Sequence, residues 1–202
     1  MIIRIFAPIL LALSFHFPAV ADSATDPKIE TAILAGGCFW CIESDFEKLD
    51  GVAEVISGYT GGHVNDPTYQ QVSAGRSGHI EAVKVSYDAN KLNYTEILDY
   101  FWYHVDPTRN DGQFCDRGPQ YRPAIFYQDE KQHKLVLASE KLIEQSKPFK
   151  EPLKVEFIQA SEFYPAEEYH QDYYKKNPIR YKFYRFNCGR DARVNELWEK
   201  NT

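Results

Sequence analysis

The sequence predicts a single α+β domain in which helices pack on a mixed β-sheet to form a two-layer α/β sandwich. Two observations support this fold class. Segments with the period-two pattern of strands alternate along the chain with segments whose apolar residues recur every three or four positions, as in half-buried helices. The chain of 202 residues also has a length that fits one domain. A domain of this size can bury roughly 70% of its unfolded surface, so it needs no disulfide to form a stable core.

Strands are predicted where apolar residues alternate with polar ones, or run without interruption, between turn-forming residues. The segments with this pattern are 29–35, 52–57, 79–87, 121–127, 155–159 and the tail 181–186. In the third segment, Glu81 falls on the same side as Val83 and Val85, because residues two apart share a face of a strand. A carboxyl group is therefore expected on the apolar side of the sheet.

Helices are predicted where apolar residues recur every three or four positions and capping residues stand at the ends. The segments with this pattern are 39–49, 66–74, 93–105, 129–146, 165–174 and 189–198. Gly51 is placed to close the first helix, and Pro67 stands in the first turn of the second. Asn93 with Glu96 has the spacing of a capping box. The long loop 106–120 is of the kind that is usually functional or disordered. The order of elements predicts a ferredoxin-like core.

The N-terminus has the features of a cleaved signal peptide. One positive charge, Arg4, precedes an apolar run at 5–13 that is too short to span a membrane. The stretch Ala19-Val20-Ala21 has the small-x-small pattern that signal peptidase cuts. We therefore expect residues 1–21 to be removed and residues 22–202 to fold after export to the periplasm or the medium. An uncleaved anchor is the alternative, which the polar residues and the proline after the apolar run disfavour.

Composition and charge exclude several classes of function. The net charge is −6 and lysine and arginine form no cluster, which argues against nucleic acid or an anionic membrane as a partner. A metal site is not expected, because one C-x-x-C pair and scattered histidines lack a second pair at ligand spacing. We expect a monomer without a bound cofactor.

Cys38 is the candidate nucleophile. It follows the strand 29–35 and two glycines, and it stands at the start of the helix 39–49. Unpaired backbone N–H groups and the positive end of the helix dipole are expected there, and both favour the thiolate over the thiol. The alternative is a structural cysteine, since free cysteines are often buried in a core.

Six short sequence blocks resemble those of the A-type peptide methionine sulfoxide reductases. The first surrounds Cys38 and has the order Gly-Cys-Phe-Trp-Cys-Ile-Glu. The other five follow in the family's order at 58–62, 66–69, 78–81, 118–122 and 166–171. Because the resemblance extends from about residue 32 to about residue 191, it covers nearly all of the mature chain and is far more specific than a single motif.

Glu81 is the candidate general acid. Burial on the apolar side of its strand disfavours the charged form, so its pKa should rise and the group could donate a proton near neutral pH. On the residues alone, a carboxylate paired with Arg76 or Arg122 is an equally good interpretation. The family resemblance implies that Glu81 acts on the sulfoxide oxygen, which must gain a proton as a thiolate attacks the sulfur.

The resemblance also implies roles for residues around this pair. It assigns hydrogen bonds to the substrate oxygen to Tyr69 and Tyr121, with Asp116 as a nearby acidic partner. It places Phe39 and Trp40 in an apolar wall for the substrate methyl group. Taken singly, each tyrosine is more typical of a core ring with a satisfied hydroxyl, and Phe39 is compatible with plain core packing.

Attack on the sulfoxide should leave Cys38 as a sulfenic acid, which condenses readily with a second thiol. The family resolves this state with a C-terminal cysteine, which implies Cys188; Cys41, in a C-x-x-C with Cys38, is the alternative. Cys115, beside Asp116, is expected to line the pocket. An external thioredoxin-like dithiol would reduce the disulfide. Many family members have glycine at the position of Cys41 and a longer Gly-rich tail, so this chain departs from the common pattern where resolution takes place.

Two other functions are compatible with parts of the sequence. A thiol–disulfide oxidoreductase would use Cys38 and Cys41 and would not need Glu81 or the tyrosines. A secreted binding module would hold glycan or peptide on its aromatic residues, while the four cysteines form two structural disulfides. The family resemblance instead implies an enzyme that reduces the S epimer of methionine sulfoxide, free and in peptides and proteins.

Overall fold

The structure of the protein, a computed structural model, describes residues 26–199. The predicted signal peptide at 1–21 lies outside the described residues. Within the described part of the chain, no helix is both long enough and apolar enough to cross a membrane.

The described residues form eight strands and seven α-helices. The strands are β1 Ile29–Ala35, β2 Val52–Thr60, β3 Ile80–Asp88, β4 Gly112–Gln113, β5 Asp116–Arg117, β6 Ala124–Tyr127, β7 Glu156–Gln159 and β8 Phe163–Pro165. The helices are α1 Phe39–Phe46, α2 Tyr69–Ser73, α3 Tyr94–Trp102, α4 Glu130–Ser146, α5 Tyr173–Lys176, α6 Pro178–Asn187 and α7 Arg190–Trp198. Short 3-10 helices form at Pro119–Tyr121 and Glu168–His170.

Six strands form one mixed sheet in the order β7-β6-β1-β3-β2-β8. The four central strands, β6, β1, β3 and β2, pair antiparallel with one another, and the chain order β1-α1-β2-β3-α3-β6 gives them the ferredoxin-like arrangement. Strand β7 pairs parallel to β6 at one edge, and β8 pairs antiparallel to β2 at the other. The predicted α+β fold with a mixed sheet is confirmed.

The main core lies between the sheet and the helices α1, α3 and α4. Alternate residues of β1 divide between the two faces: Leu34 joins this core, whereas Ile33 belongs to a smaller cluster on the opposite face. The fully buried Trp102 donates from its indole Nε1 to the Ser139 hydroxyl at 2.9 Å, which ties α3 to α4. Pairing the indole N–H avoids the cost of leaving a buried donor unsatisfied.

The helix starts follow their capping residues, with one correction. The Asn93–Glu96 capping box forms as predicted. The second helix does not begin at 66, because Asp66 has a positive φ of 45° and the capping box is made instead by Thr68 and Gln71. The first helix ends at Phe46, although its predicted extent was 39–49.

The C-terminal third departs most from the prediction. The tail 181–186 was expected to be extended, yet it lies within helix α6, which Pro178 opens in its first turn. The alternation of aromatic residues matches the pattern of a strand, but Tyr181 and Tyr184 pack inwards at helical spacing. The segment 165–174 is not one helix either. The Gln171 side chain accepts from the Ser57 N–H and donates to the Ser57 carbonyl, each at 2.9 Å. These two hydrogen bonds fix the segment across the edge of the sheet.

The side chain of Gln113 orders the loop 106–120 through hydrogen bonds to the loop's own backbone. Gln113 accepts a hydrogen bond from the Asp106 N–H at 2.8 Å and donates to the Asp106 carbonyl at 2.8 Å. The short strands β4 and β5 pair antiparallel within the loop. A Cβ atom on Gly37 would lie 2.6 Å from the Gln113 Cβ, so this loop packs directly against the turn that precedes Cys38.

Candidate active site

A cavity of about 70 Å³ lies at the start of α1. Eight residues line it: Cys38, Phe39, Trp40, Tyr69, Glu81, Asp116, Tyr121 and Tyr184. Seven of them are residues to which the sequence assigned roles in nucleophilic attack, proton transfer or substrate binding. Cys38 is the N-cap of α1, is only 6% exposed, and follows Gly37, whose φ of 89° turns the chain from β1 into the helix.

Glu81 enters the cavity from β3, on the helix-facing side of the sheet as predicted. Burial raises the pKa of its carboxyl to about 8, with a smaller upward contribution from Asp116. The Phe39 N–H donates to Glu81 Oε2 at 3.1 Å and partly opposes this rise. Within the described residues, Glu81 forms no ion pair, and Arg122 pairs with Glu156 at 3.0 Å instead. Glu81 is therefore largely protonated at neutral pH.

Tyr69 and Tyr121 bring two neutral hydroxyls to the same cavity. Burial raises the pKa of Tyr69 to about 12, and burial also raises the pKa of Tyr121. Glu167 fixes Tyr69 by accepting from its backbone N–H at 2.8 Å, and it accepts from the Tyr59 hydroxyl at 2.8 Å. Neither cavity hydroxyl has a hydrogen-bond partner in the part of the chain that the structure describes. Both can therefore donate to an oxygen atom of a ligand.

Aromatic rings form the apolar side of the site. The Trp40 indole stacks on Tyr173 with ring centroids 3.7 Å apart, and its Nε1–H donates to His170 Nδ1 at 3.0 Å. The Phe39 ring lies 5.0 Å from the His170 ring. Burial lowers the pKa of His170, which keeps the ring neutral and its Nδ1 able to accept. The Phe39–Trp40 wall is thus held by two residues that the sequence analysis left without a role.

Tyr184 is the cavity residue that the sequence analysis missed. Its hydroxyl donates to Asp116 Oδ2 at 2.5 Å, so helix α6 and strand β5 meet at the cavity. Burial raises the pKa of Asp116, whereas the Tyr184 hydroxyl and the Arg190 guanidinium lower it. The sequence does contain a signal for this position: Tyr181 and Tyr184 have helical spacing after a proline that can open a helix. The interpretation of 181–186 as an extended segment did not use it.

The free cysteines of the described chain are Cys38 and Cys41, and both are buried. The Cys41 N–H donates to the Cys38 carbonyl at 3.1 Å, and the neighbouring Cys38 thiol lowers the pKa of Cys41. Burial raises the pKa of Cys38, and its neighbours Cys41 and Glu81 raise it further. This direction is opposite to the thiolate expected from the helix start alone, because a cavity that excludes water disfavours the anion.

The other two cysteines are joined to each other. Cys115 and Cys188 form a disulfide with Cα atoms 4.7 Å apart. Cys115 is exposed rather than pocket-lining, so that expectation was wrong. The structure does not bring Cys188 to Cys38, and a direct reaction between them stays a prediction. The two free thiols contradict the binding module with two structural disulfides.

Potential metal ligands meet at one place among the described residues. Cys115, Asp116 and Cys188 have ligand atoms within 4.8 Å of one another. Two of the three donors are consumed by the disulfide, so the thiolates that a metal requires are not available in this form.

Comparison with known proteins identifies the family of the chain. The family model described as "Peptide methionine sulfoxide reductase" matches residues 30–202. The "Peptide methionine sulfoxide reductase MsrA 2" of Caulobacter vibrioides is 48% identical over 198 residues, covering 98% of this chain and 97% of the relative. The MsrA/MsrB protein of Vibrio cholerae is 49% identical over 205 residues, covering 98% of this chain and 54% of the relative. This chain thus spans about half the length of that protein.

The fold has solved counterparts. Reduced Mxr1 from Saccharomyces cerevisiae superposes with a TM-score of 0.70 at 29% identity, covering 75% of this chain and 87% of that one. Methionine sulfoxide reductase A of Corynebacterium diphtheriae gives a TM-score of 0.66 at 29% identity, covering 75% and 76% of the two chains. Because the family model matches residues 30–202 and a relative 48% identical is covered almost completely, the chain belongs to the peptide methionine sulfoxide reductase family.

Proposed function

We propose that this enzyme reduces methionine S-sulfoxide, free and within proteins, to methionine and so repairs oxidised proteins. One observation supports this activity above the others: Cys38, a protonated Glu81 and two unpartnered tyrosine hydroxyls face a single cavity with an aromatic wall. A sulfoxide needs these groups together, because its sulfur is attacked while its oxygen is protonated. A thiol–disulfide oxidoreductase would not need the buried acid and the two tyrosine hydroxyls together.

The first chemical step is oxygen transfer to sulfur. The Cys38 sulfur attacks the sulfoxide sulfur, and Glu81 supplies a proton to the oxygen as negative charge develops there. Tyr69 and Tyr121 donate hydrogen bonds to the same oxygen. In net terms, the Cys38 thiol and the sulfoxide give a Cys38 sulfenic acid and the thioether methionine, so the cysteine is oxidised by two electrons and the substrate is reduced by two.

The site can also distinguish epimers. The oxygen must meet Glu81 and the tyrosines, the methyl group must meet Phe39 and Trp40, and the sulfur must lie within reach of the attacking Cys38. Three fixed positions around a pyramidal sulfur accept one configuration only. The family resemblance supports the S configuration.

The second step forms a disulfide within the chain. Cys41 is the other free cysteine of the described chain and lies within one helical turn of Cys38, so it is placed to condense with the sulfenic acid, releasing water. The sequence favoured Cys188 for this role, but Cys188 is bonded to Cys115. A thioredoxin-like dithiol then returns the enzyme to its reduced state by disulfide exchange. The signal-peptide pattern at 1–21 supports action in the periplasm or outside the cell, and we expect a monomer.

One assay tests this activity. The protein is incubated with each epimer of a blocked methionine sulfoxide and excess dithiothreitol, and methionine is measured by chromatography. We expect reduction of the S epimer by the wild type, none by Cys38→Ser, and a large loss in Glu81→Gln. Reduction of a disulfide substrate without reduction of either sulfoxide would support the oxidoreductase instead.

A further inference from the structure

Arg190 is a buried cation beside the turn that carries the nucleophile. It is the first residue of α7, follows the N-cap Gly189, and is only 2% exposed. A guanidinium in the interior is costly unless its N–H donors and its charge both find partners. The partners of its donors and of its charge therefore indicate what Arg190 does.

The guanidinium holds the turn before Cys38. Its Nη1 donates to the Gly36 carbonyl at 3.0 Å, and its Nη2 donates to the His104 carbonyl, just after α3, at 2.7 Å. A Cβ atom on Gly37 would lie 3.8 Å from Nη1, so the guanidinium lies along the turn itself. An arginine presents its donors as a planar fork with fixed directions. Arg190 thus ties the β1–α1 turn to the end of α3.

The charge of Arg190 is compensated only in part within the described residues. Its ion-pair partner there is Asp45, whose carboxylate lies 3.7 Å from Nε, and Nε itself has no hydrogen-bond partner in that part of the chain. Asp45 contacts Arg185 more closely, at 2.9 Å. The Phe114 ring, 4.5 Å from the guanidinium carbon, adds a cation–π contact. A second anion close to Arg190 would therefore be stabilised.

Cys41 is the group that can supply this anion. Cys41 and Asp45 are four residues apart on α1, so their side chains share one face of the helix. The Cys38 thiol lowers the pKa of Cys41, and burial opposes this effect. The positive charges of Arg190 and Arg185 lower the pKa of Cys41 further. A thiolate at Cys41 would in turn give the buried guanidinium the counter-charge that it lacks.

Other titratable groups also face Cys41, and none of them replaces Arg190. Besides Cys38 and Arg190, they are Asp45 on α1, Glu81 on β3, Tyr173 on α5, and Tyr181, Tyr184 and Arg185 on α6. Asp45 opposes a thiolate at Cys41, and Glu81 is largely protonated at neutral pH because burial raises its pKa to about 8. Arg185 is held by two carboxylates, those of Asp45 and Asp191.

Resting on the proposed function, we infer that Arg190 is a positioning residue: it fixes the turn that carries Cys38 and is the counter-charge of the Cys41 thiolate that resolves the sulfenic acid. In that step the thiolate attacks the Cys38 sulfur, a sulfur–sulfur bond forms and the sulfur–oxygen bond breaks. The hydroxyl leaves as water with one proton from solution. Because the thiolate is the nucleophile, Arg190 acts on both steps without touching the substrate.

Two substitutions separate the fork of Arg190 from its charge. Arg190→Gln removes both, whereas Arg190→Lys keeps a positive charge on a flexible stem without the planar fork. Arg193→Gln is the matched control. Arg193 lies one turn further along α7 and donates to Asp106 at 2.8 Å instead of to the turn before Cys38. Circular dichroism compares the folding of each variant with that of the wild type.

Single-turnover reduction of methionine S-sulfoxide measures the effect on Cys38. Each protein is reduced, desalted without oxygen and mixed with a range of sulfoxide concentrations, and methionine is measured over time. We expect both Arg190 variants to form methionine about 10²-fold more slowly at saturation, since a misplacement of about 1 Å can cost that much. The sulfoxide concentration that gives half of the maximal rate should not change, and Arg193→Gln should match the wild type.

The ultraviolet absorbance of the thiolate measures the effect on Cys41 and does not depend on turnover. In Cys38→Ser with the Cys115–Cys188 disulfide intact, Cys41 is the remaining thiol. Cys38→Ser/Cys41→Ser supplies the blank for the tyrosines. Adding Arg190→Gln to Cys38→Ser should move the thiolate titration to higher pH, because the anion loses its counter-charge. Adding Arg190→Lys should leave the titration in place.

Three results would overturn the inference. They are a wild-type rate in Arg190→Gln, a thiolate titration that this substitution does not move, and a loss of rate in Arg193→Gln equal to that in Arg190→Lys. If Arg190→Gln does not fold, Arg190→Lys decides: slow turnover with an unmoved titration supports the inference, and a wild-type rate or a moved titration overturns it. Absence of methionine from the wild type would instead contradict the proposed function, and the titration would still test the charge of Arg190.

Discussion

Replacing Glu81 by glutamine should weaken catalysis and strengthen the fold. Glutamine keeps the shape of the side chain and an oxygen that can accept from the Phe39 N–H, but it cannot supply a proton. Because general acid catalysis typically contributes about 10² to 10⁴ in rate, we expect a loss of that size in kcat/KM with the S epimer. The KM should change much less, because the remaining cavity is intact.

The stability change follows from the raised pKa. Burial raises the pKa of Glu81 from an ordinary 4.5 to about 8, so the folded state holds a proton that the unfolded state releases between these values. Each pH unit within that window removes about 1.4 kcal/mol from the free energy of unfolding. At pH 7 the wild type should therefore be less stable than Glu81→Gln by up to about 3 kcal/mol, and at pH 4 the difference should vanish.

Urea unfolding of both proteins at pH 4, 5.5, 7 and 8.5 measures this difference. The expected result is a gap that opens from pH 4.5 upwards and stops growing above pH 8. A gap that is independent of pH, or a variant that is less stable than the wild type at pH 7, would refute the idea of a buried neutral acid. Activity within tenfold of the wild type would refute its role in proton transfer.

Three further predictions follow from the cavity. The wild-type rate should fall as pH rises through about 8, the pKa of Glu81, because only the protonated acid is active; the pH profile of Glu81→Gln should lack this limb. Tyr121→Phe should lower kcat by roughly 10²-fold, as loss of one donor to a developing oxyanion does, with little effect on the thermal midpoint. Gly37→Ala should lower the free energy of unfolding by more than Gly189→Ala. Both glycines have positive φ, but only a Cβ on residue 37 would lie 2.6 Å from a neighbouring atom. Equal losses of stability in urea unfolding would contradict this packing.

The central fold could be predicted because its signals are local. The glycine-bounded strand β1, the alternation in β3 and the capping box of α3 each fix one element, and their order fixes the sheet. The segment after β8 could not be predicted. Its side chains, such as Gln171, bind the edge of the sheet, so its backbone does not form the continuous helix that the sequence pattern indicates. Alternating aromatics in α6 match a strand and a helix almost equally well, and only tertiary packing decides between them.

The site shows the same division. Glu81 was placed on the apolar face by the period of its strand, and the structure confirms that position. The contact between Tyr184 and Asp116 joins a helix to a loop that is distant in the sequence, so no local pattern predicts it. The pKa of Cys38 was expected to fall because only the helix start was considered. Its burial depends on walls contributed by five other elements, and burial has the larger effect.

The central claim is that Cys38 alone performs the oxygen transfer. A variant that retains only this cysteine, Cys41→Ser/Cys115→Ser/Cys188→Ser, should be reduced, mixed with methionine S-sulfoxide and trapped with dimedone, a reagent specific for sulfenic acid. We predict one methionine per chain and one dimedone adduct, located by mass spectrometry on Cys38, in a variant whose circular dichroism matches the wild type. A folded variant that forms no methionine, or methionine without an adduct on Cys38, would contradict the account.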